Sequence, residues 1–214
     1  MISREALRLY LIADTGICPP DRLPAAVNAA LRGGVTCVQL RAKRETTAEQ
    51  VRLARALARL CADRGVPFIV NDRADVALAS DASGVHVGHI GQEDLHPADA
   101  RRIVGPDKVV GVSVGSADEA RAAAAAGASY ISAGPMLATR TKADAGPPAG
   151  EPLLHAVRTA TDLPFVVIGG IGHEDAAALV AAGADGVCVA SAILAADDPE
   201  AAARRFIAEL EGAR

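Results

Sequence analysis

Eight short apolar runs recur along the 214-residue chain, each followed by a stretch in which Ala, Leu and Val return at helical spacing. The runs fall at 9–14, 37–41, 68–71, 84–87, 109–113, 130–134, 165–169 and 187–191. The helical stretches fall near 22–32, 47–64, 74–80, 97–104, 116–126, 151–160, 173–182 and 199–211. A continuous apolar run of this length marks a strand buried on both faces, and such strands belong to parallel sheets wrapped by helices. Several helices end in a small-residue turn that leads straight into a strand, as in Arg32-Gly33-Gly34-Val35, Ala126-Gly127-Ala128 and Ala182-Gly183-Ala184, where a C-cap glycine is expected to take φ > 0. Repeated turns of one type mean repeated right-handed βα units. Eight of them close into a barrel more naturally than they form an open doubly wound sheet, so the expected fold is α/β, a single (β/α)8 TIM barrel over residues 1–214.

Composition fits that plan and narrows the functions. Half the residues are apolar but only 2% are aromatic, so the core must be aliphatic and packed between regular elements. A net charge of -4 excludes a broad basic surface for tracking nucleic acid, and an anionic ligand must be held locally. Cys18, Cys37, Cys61 and Cys188 have no CxxC spacing and read as reduced, buried thiols. With no signal-like N-terminus, a cytoplasmic location is expected. The longest uncharged run, 122–139, is broken by Gly127, Gly134 and Pro135 and does not read as a membrane span. The expected partners are small phosphorylated molecules, with no nucleic acid and no membrane; the sequence leaves room for a homo-oligomer.

In such barrels chemistry sits at the C-terminal strand ends. Gln39, Arg41 and Lys43 follow at i, i+2 and i+4 on one face of the second strand and its exit, which points two cations and an amide at the mouth. A solvated strand exit is the plainer alternative. Asn71-Asp72 closes the third strand and Gln92-Glu93-Asp94 follows the fourth; Asp72 and Asp94 supply hard oxygens suited to Mg2+, against the alternative that each caps a helix. The connection 136–150 is the longest in the chain and carries Thr139-Arg140-Thr141-Lys142, donors for phosphate oxygens on a lid, or else a plain surface loop. Gly169-Gly170-Ile171-Gly172 after the seventh strand and Ala190-Ser191 after the eighth stand where these barrels bind phosphate. His86 reads as a packed histidine rather than a base, and Ser113 as ligand contact or small filler.

Taken in order, Gln39-Leu40-Arg41-Ala42-Lys43, Asn71-Asp72-Arg73, Gly91-Gln92-Glu93-Asp94, Gly111-Val112-Ser113, Gly134-Pro135 with Thr139-Arg140-Thr141-Lys142, Ile168-Gly169-Gly170-Ile171 and Ala184-Asp185-Gly186-Val187 resemble thiamine phosphate synthase over nearly the whole chain. The resemblance implies coupling of a hydroxymethylpyrimidine diphosphate to a thiazole phosphate. It implies pyrimidine-diphosphate binding by Gln39, Arg41, Lys43, Asn71, Ser113 and Lys142, with Arg41, Lys43 and Lys142 as the catalytic cations. It implies thiazole-phosphate binding by Thr139, Thr141, Gly170, Ala190 and Ser191, and Mg2+ on Asp72 and Asp94. The chain departs from the family pattern twice: three extra residues near Gly88-His89-Ile90, and Gly115-Ser116 where the family often shows His-Thr. A thiazole tautomerase on the same barrel is the nearest rival, but it tends to lose the metal carboxylate and the pyrophosphate-binding cations, all present here. A Schiff-base aldolase needs a lysine on a strand inside the barrel, and Lys43, Lys108 and Lys142 fall at loops or strand starts. A non-catalytic binding paralogue would have little use for the full charged set.

Overall fold

The computed structural model describes residues 2–90, 95–139 and 146–212. Its strands are β1 (Leu9–Asp14), β2 (Cys37–Arg41), β3 (Phe68–Asn71), β4 (Gly84–Val87), β5 (Val109–Val114), β6 (Tyr130–Ala133), β7 (Phe165–Ile168) and β8 (Gly186–Val189). Each pairs in parallel with the next, and β1 pairs with β8 through Leu9↔Val187, closing the barrel. The helices are α1 (Leu23–Arg32), α2 (Thr47–Ala62), α3 (Ala74–Ala79), α4 (Pro97–Val104), α5 (Ala117–Ala125), α6 (Gly150–Ala160), α7 (His173–Ala181), α8 (Ser191–Leu194) and α9 (Pro199–Gly212). The expected (β/α)8 barrel is therefore found. Two short elements escaped the sequence pattern: a 3-10 turn at Glu5–Leu7 and α8, which begins at Ser191, so the eighth strand ends at Val189 rather than 191.

Strand alternation sorts side chains into two cores. Leu9, Leu11 and Ala13 of β1, Val38 and Leu40 of β2, and Val85 and Val87 of β4 face the helices and join one large aliphatic core. The intervening positions face the barrel axis, where Tyr10, Ile12, Cys37, Ile69, Tyr130, Val166 and Cys188 form a second, smaller core closed at the strand starts by Ile2 and Leu7. Toward the strand ends the inward positions become Asp14, Gln39, Asn71, His86, Ser113 and Ser132. The same period of two thus builds an apolar floor and a polar mouth.

The helix–strand turns behave largely as the sequence implies. Gly34, Gly127 and Gly183 take φ of 105°, 84° and 117°. Gly33 is the correction: its φ is -77°, and it is small because a Cβ there would lie 2.4 Å from the Glu200 carbonyl oxygen at the start of α9. No helix of the described residues is long and apolar enough to cross a membrane.

Candidate active site

One cavity of about 1110 Å3 opens at the C-terminal ends of the strands. Ten of the sequence-predicted residues line it: Gln39, Arg41, Lys43, Asn71, Asp72, Ser113, Thr139, Gly170, Ala190 and Ser191. Asp94, Thr141 and Lys142 lie outside the described residues.

β2 places the first cations. Register pairs Asp14 of β1 with Arg41 of β2, and Arg41 Nη1 donates to Asp14 Oδ2 at 2.7 Å. Asp14 is only 4% exposed, and its Oδ1 accepts from the Gly16 backbone N–H at 2.8 Å. A buried carboxylate held from two sides cannot follow a flexible side chain, so it fixes the guanidinium to the barrel wall. Lys43, two residues past the strand, pairs with Asp72 Oδ2. Asp72 does not cap α3; Arg73 holds the cap position, and Asp72 sits at φ 60° with Oδ1 accepting from Asn71 Nδ2 at 3.0 Å. A left-handed conformation at a non-glycine residue persists only where its surroundings hold it. Here it directs the carboxylate into the mouth beside Lys43.

His86 is packed, as its sequence setting implies, and is 6% exposed. Its Nδ1 lies 2.9 Å from the Tyr130 hydroxyl and its Nε2 3.1 Å from Ser113 Oγ, so Ser113 is tied to the barrel interior and is no mere filler. Burial pushes the hydroxyls of Tyr10 and Tyr130 well above the usual tyrosine range, and both stay protonated at any working pH.

The glycines after β7 have a more local cause than ligand approach. A Cβ on Gly169 would lie 2.6 Å from Pro135 Cβ, and one on Gly170 2.4 Å from the Ala138 carbonyl oxygen. These positions let residues 135–138, just after β6, pass close over the end of β7, and Thr139 and Gly170 both line the cavity.

Three features were missed from the sequence. Asp14 was visible only as the carboxylate ending an apolar strand; strand register is what matches it with Arg41. The only two tyrosines of the chain, Tyr10 and Tyr130, lie inside apolar runs, where nothing local marks them as partners. The third joins the two departures from the family pattern: His89 Nδ1 donates to Glu119 Oε2 at 2.7 Å, and the same oxygen accepts from the Gly115 N–H at 3.0 Å. The extra residues after β4 thus set an imidazole against the Gly115 turn, at the cavity rim.

Residues 9–193 match the family model described as thiamine monophosphate synthase. The chain is 48% identical over 198 residues to the thiamine-phosphate synthase of Moorella thermoacetica, covering 92% of this chain and 93% of that one. It is 48% identical over 208 residues to the thiamine-phosphate synthase of Xanthobacter autotrophicus, covering 97% of each. Among solved structures it resembles the thiamine phosphate pyrophosphorylase from Pyrococcus furiosus, with a TM-score of 0.89, 35% identity and 98% of both chains covered.

Proposed function

The chain belongs to the thiamine monophosphate synthase family, and from that premise we propose that it couples 4-amino-2-methyl-5-hydroxymethylpyrimidine diphosphate to a thiazole phosphate, giving thiamine phosphate and pyrophosphate. The observation that carries this reading is the convergence of Gln39, Arg41, Lys43, Asn71 and Asp72 on one mouth cavity. At about 1110 Å3 it exceeds the usual space for a single small ligand and suits two substrates side by side.

The chemistry asks little of the protein beyond charge and position. The bond between the pyrimidine methylene and the diphosphate oxygen breaks with its electron pair leaving on oxygen, and the amino-substituted ring delocalises the cation left behind. Arg41, Lys43 and Lys142 meet the departing charge. The thiazole nitrogen then forms the new bond with its own lone pair, so no strong base is needed. Thr139, Thr141, Gly170, Ala190 and Ser191 would hold the second substrate by its phosphate, supplying the orientation that replaces a chance encounter.

Mg2+ is part of the proposal. Among the described residues no group of three or more His, Cys, Asp or Glu side chains is gathered for a metal. Mg2+ is commonly held by one or two carboxylates with the remaining positions left to water and substrate phosphate, and Asp72, a hard oxygen donor lining the mouth, fits that role; Asp94 would be the second. When bound, the ion would add charge neutralisation at the leaving diphosphate.

Four free, buried thiols, Cys18, Cys37, Cys61 and Cys188, are in keeping with a cytoplasmic location. The tautomerase alternative gains no support from the relatives named above. A coupled pyrophosphate assay with both substrates and Mg2+ tests the reading; thiazole isomerisation without pyrophosphate release would refute it.

A further inference from the structure

Five side chains from five strands form an unbroken hydrogen-bonded chain across the barrel. Gln39 Nε2 donates to the Tyr10 hydroxyl at 2.7 Å. The Tyr10 and Tyr130 hydroxyls lie 2.8 Å apart. Tyr130 reaches His86 Nδ1 at 2.9 Å, and His86 Nε2 reaches Ser113 Oγ at 3.1 Å. Gln39, Tyr10, Tyr130 and His86 are all buried, while both ends of the chain, Gln39 and Ser113, line the mouth cavity.

Proton counting gives the chain a direction. An amide nitrogen can only donate, so Tyr10 accepts from Gln39. Each hydroxyl has one proton to give. The Cys37 sulfur beside Tyr10 is a weak acceptor, so the Tyr10 proton goes to Tyr130 and the Tyr130 proton to His86 Nδ1. The imidazole must then carry its proton on Nε2 and donate to Ser113, which leaves the serine proton aimed outward. Turning over the Gln39 amide would reverse every link, protonate Nδ1 and turn Ser113 inward. The amide orientation and the serine polarity are one variable read at two ends of the cavity.

Resting on the pyrimidine reading above, we infer that Tyr10, Tyr130 and His86 are positioning residues that fix the donor–acceptor pattern of the pyrimidine subsite and thereby select a 4-amino over a 4-oxo ring. With one N–H given to Tyr10, Gln39 offers its carbonyl oxygen and its second N–H to the ligand. That pair matches an exocyclic amine beside an unprotonated ring nitrogen. A 4-oxo ring presents the reverse, a carbonyl beside an N–H, and pairs with Gln39 only if the amide turns over and the whole buried chain inverts with it. The penalty for the wrong ring is spread over four hydrogen bonds rather than one.

The test uses the full chain. Nitrogen-15 NMR of histidine-labelled protein, with the His86 signals assigned by their loss in His86→Asn, reads the tautomer without substrate. Pyrophosphate release gives kcat and KM for the 4-amino and 4-oxo pyrimidine diphosphates with the wild type, Tyr130→Phe and Tyr10→Phe. The expected results are an Nε2–H imidazole in the wild type, a mixture of tautomers in Tyr130→Phe, and a loss of about tenfold or more in amino-over-oxo preference in each variant, with KM for the amino substrate raised. Either phenylalanine variant alone suffices if the other fails to fold. An Nδ1–H or doubly protonated His86 in the wild type, or wild-type preference retained in the folded variants, overturns the inference. A wild type that releases no pyrophosphate from either ring refutes the functional reading and the ring selectivity with it; the tautomer still decides whether the chain runs as described.

Discussion

Replacing Gly111 with alanine adds a methyl group where the barrel has no room for it. Gly111 lies on β5 facing the axis, and a Cβ built there would be 2.3 Å from Tyr130 Cζ, 2.4 Å from the Tyr130 hydroxyl and 2.4 Å from His86 Nδ1. Its backbone is not left-handed, so alanine is otherwise acceptable and on chain entropy alone would stabilise by about 0.4–1 kcal/mol. Space reverses the sign. To reach ordinary contact at 3.4 Å the Tyr130 and His86 rings must retreat by about 1 Å, and both belong to rigid strands. Overpacking of this kind costs about 1–3 kcal/mol, and separating the 2.9 Å Tyr130–His86 pair leaves buried polar atoms unmatched for about 1–3 kcal/mol more. The net loss should be about 1–5 kcal/mol, or about 2–20 °C in the melting midpoint for a chain of this size. Differential scanning calorimetry measures the first effect and the pyrophosphate assay the second, a fall in kcat/KM as Ser113 loses its tether. A variant that melts within about 2 °C of the wild type and turns over normally would refute the packing argument.

Asp72→Asn should keep the fold, because asparagine tolerates φ 60° and the Lys43 pair is partly exposed. It should raise the Mg2+ concentration needed for half-maximal pyrophosphate release, and chelation by EDTA should abolish release in the wild type. Lys142→Ala should slow turnover by about a hundredfold with an unchanged melting midpoint; full activity would exclude the lysine from the leaving-group site. Burial pushes the Cys61 thiol up from 9.0 to about 12. A thiol that keeps its proton longer when folded contributes stability that is intact below the unfolded value and lost as pH rises toward the folded one. The melting midpoint should therefore fall between about pH 9 and 11, and less steeply in Cys61→Ala than in the wild type.

The fold was legible because every strand is wrapped on both faces and so writes itself as an apolar run. Strand limits for β1 to β4 coincide with the sequence reading, and the others differ by one or two residues. α8 was missed because four residues, Ser191 to Leu194, are too few to show a period. The mouth was legible for a related reason: Gln39, Arg41, Asn71, Asp72 and Ser113 break apolar runs at their C-terminal ends, where a barrel exposes its ligand surface. Pairings across the barrel were not legible. Asp14 with Arg41, and Tyr10 with Tyr130 and His86, depend on register and closure that no single segment encodes.

Two cations of the mouth are already paired at rest, Arg41 with Asp14 and Lys43 with Asp72. A stray phosphate therefore meets cations whose charge is already spoken for. A dication drawing Asp72 away would free the Lys43 ammonium at the same moment, so the arrival of metal and the tightening on a polyanion become reciprocally coupled events.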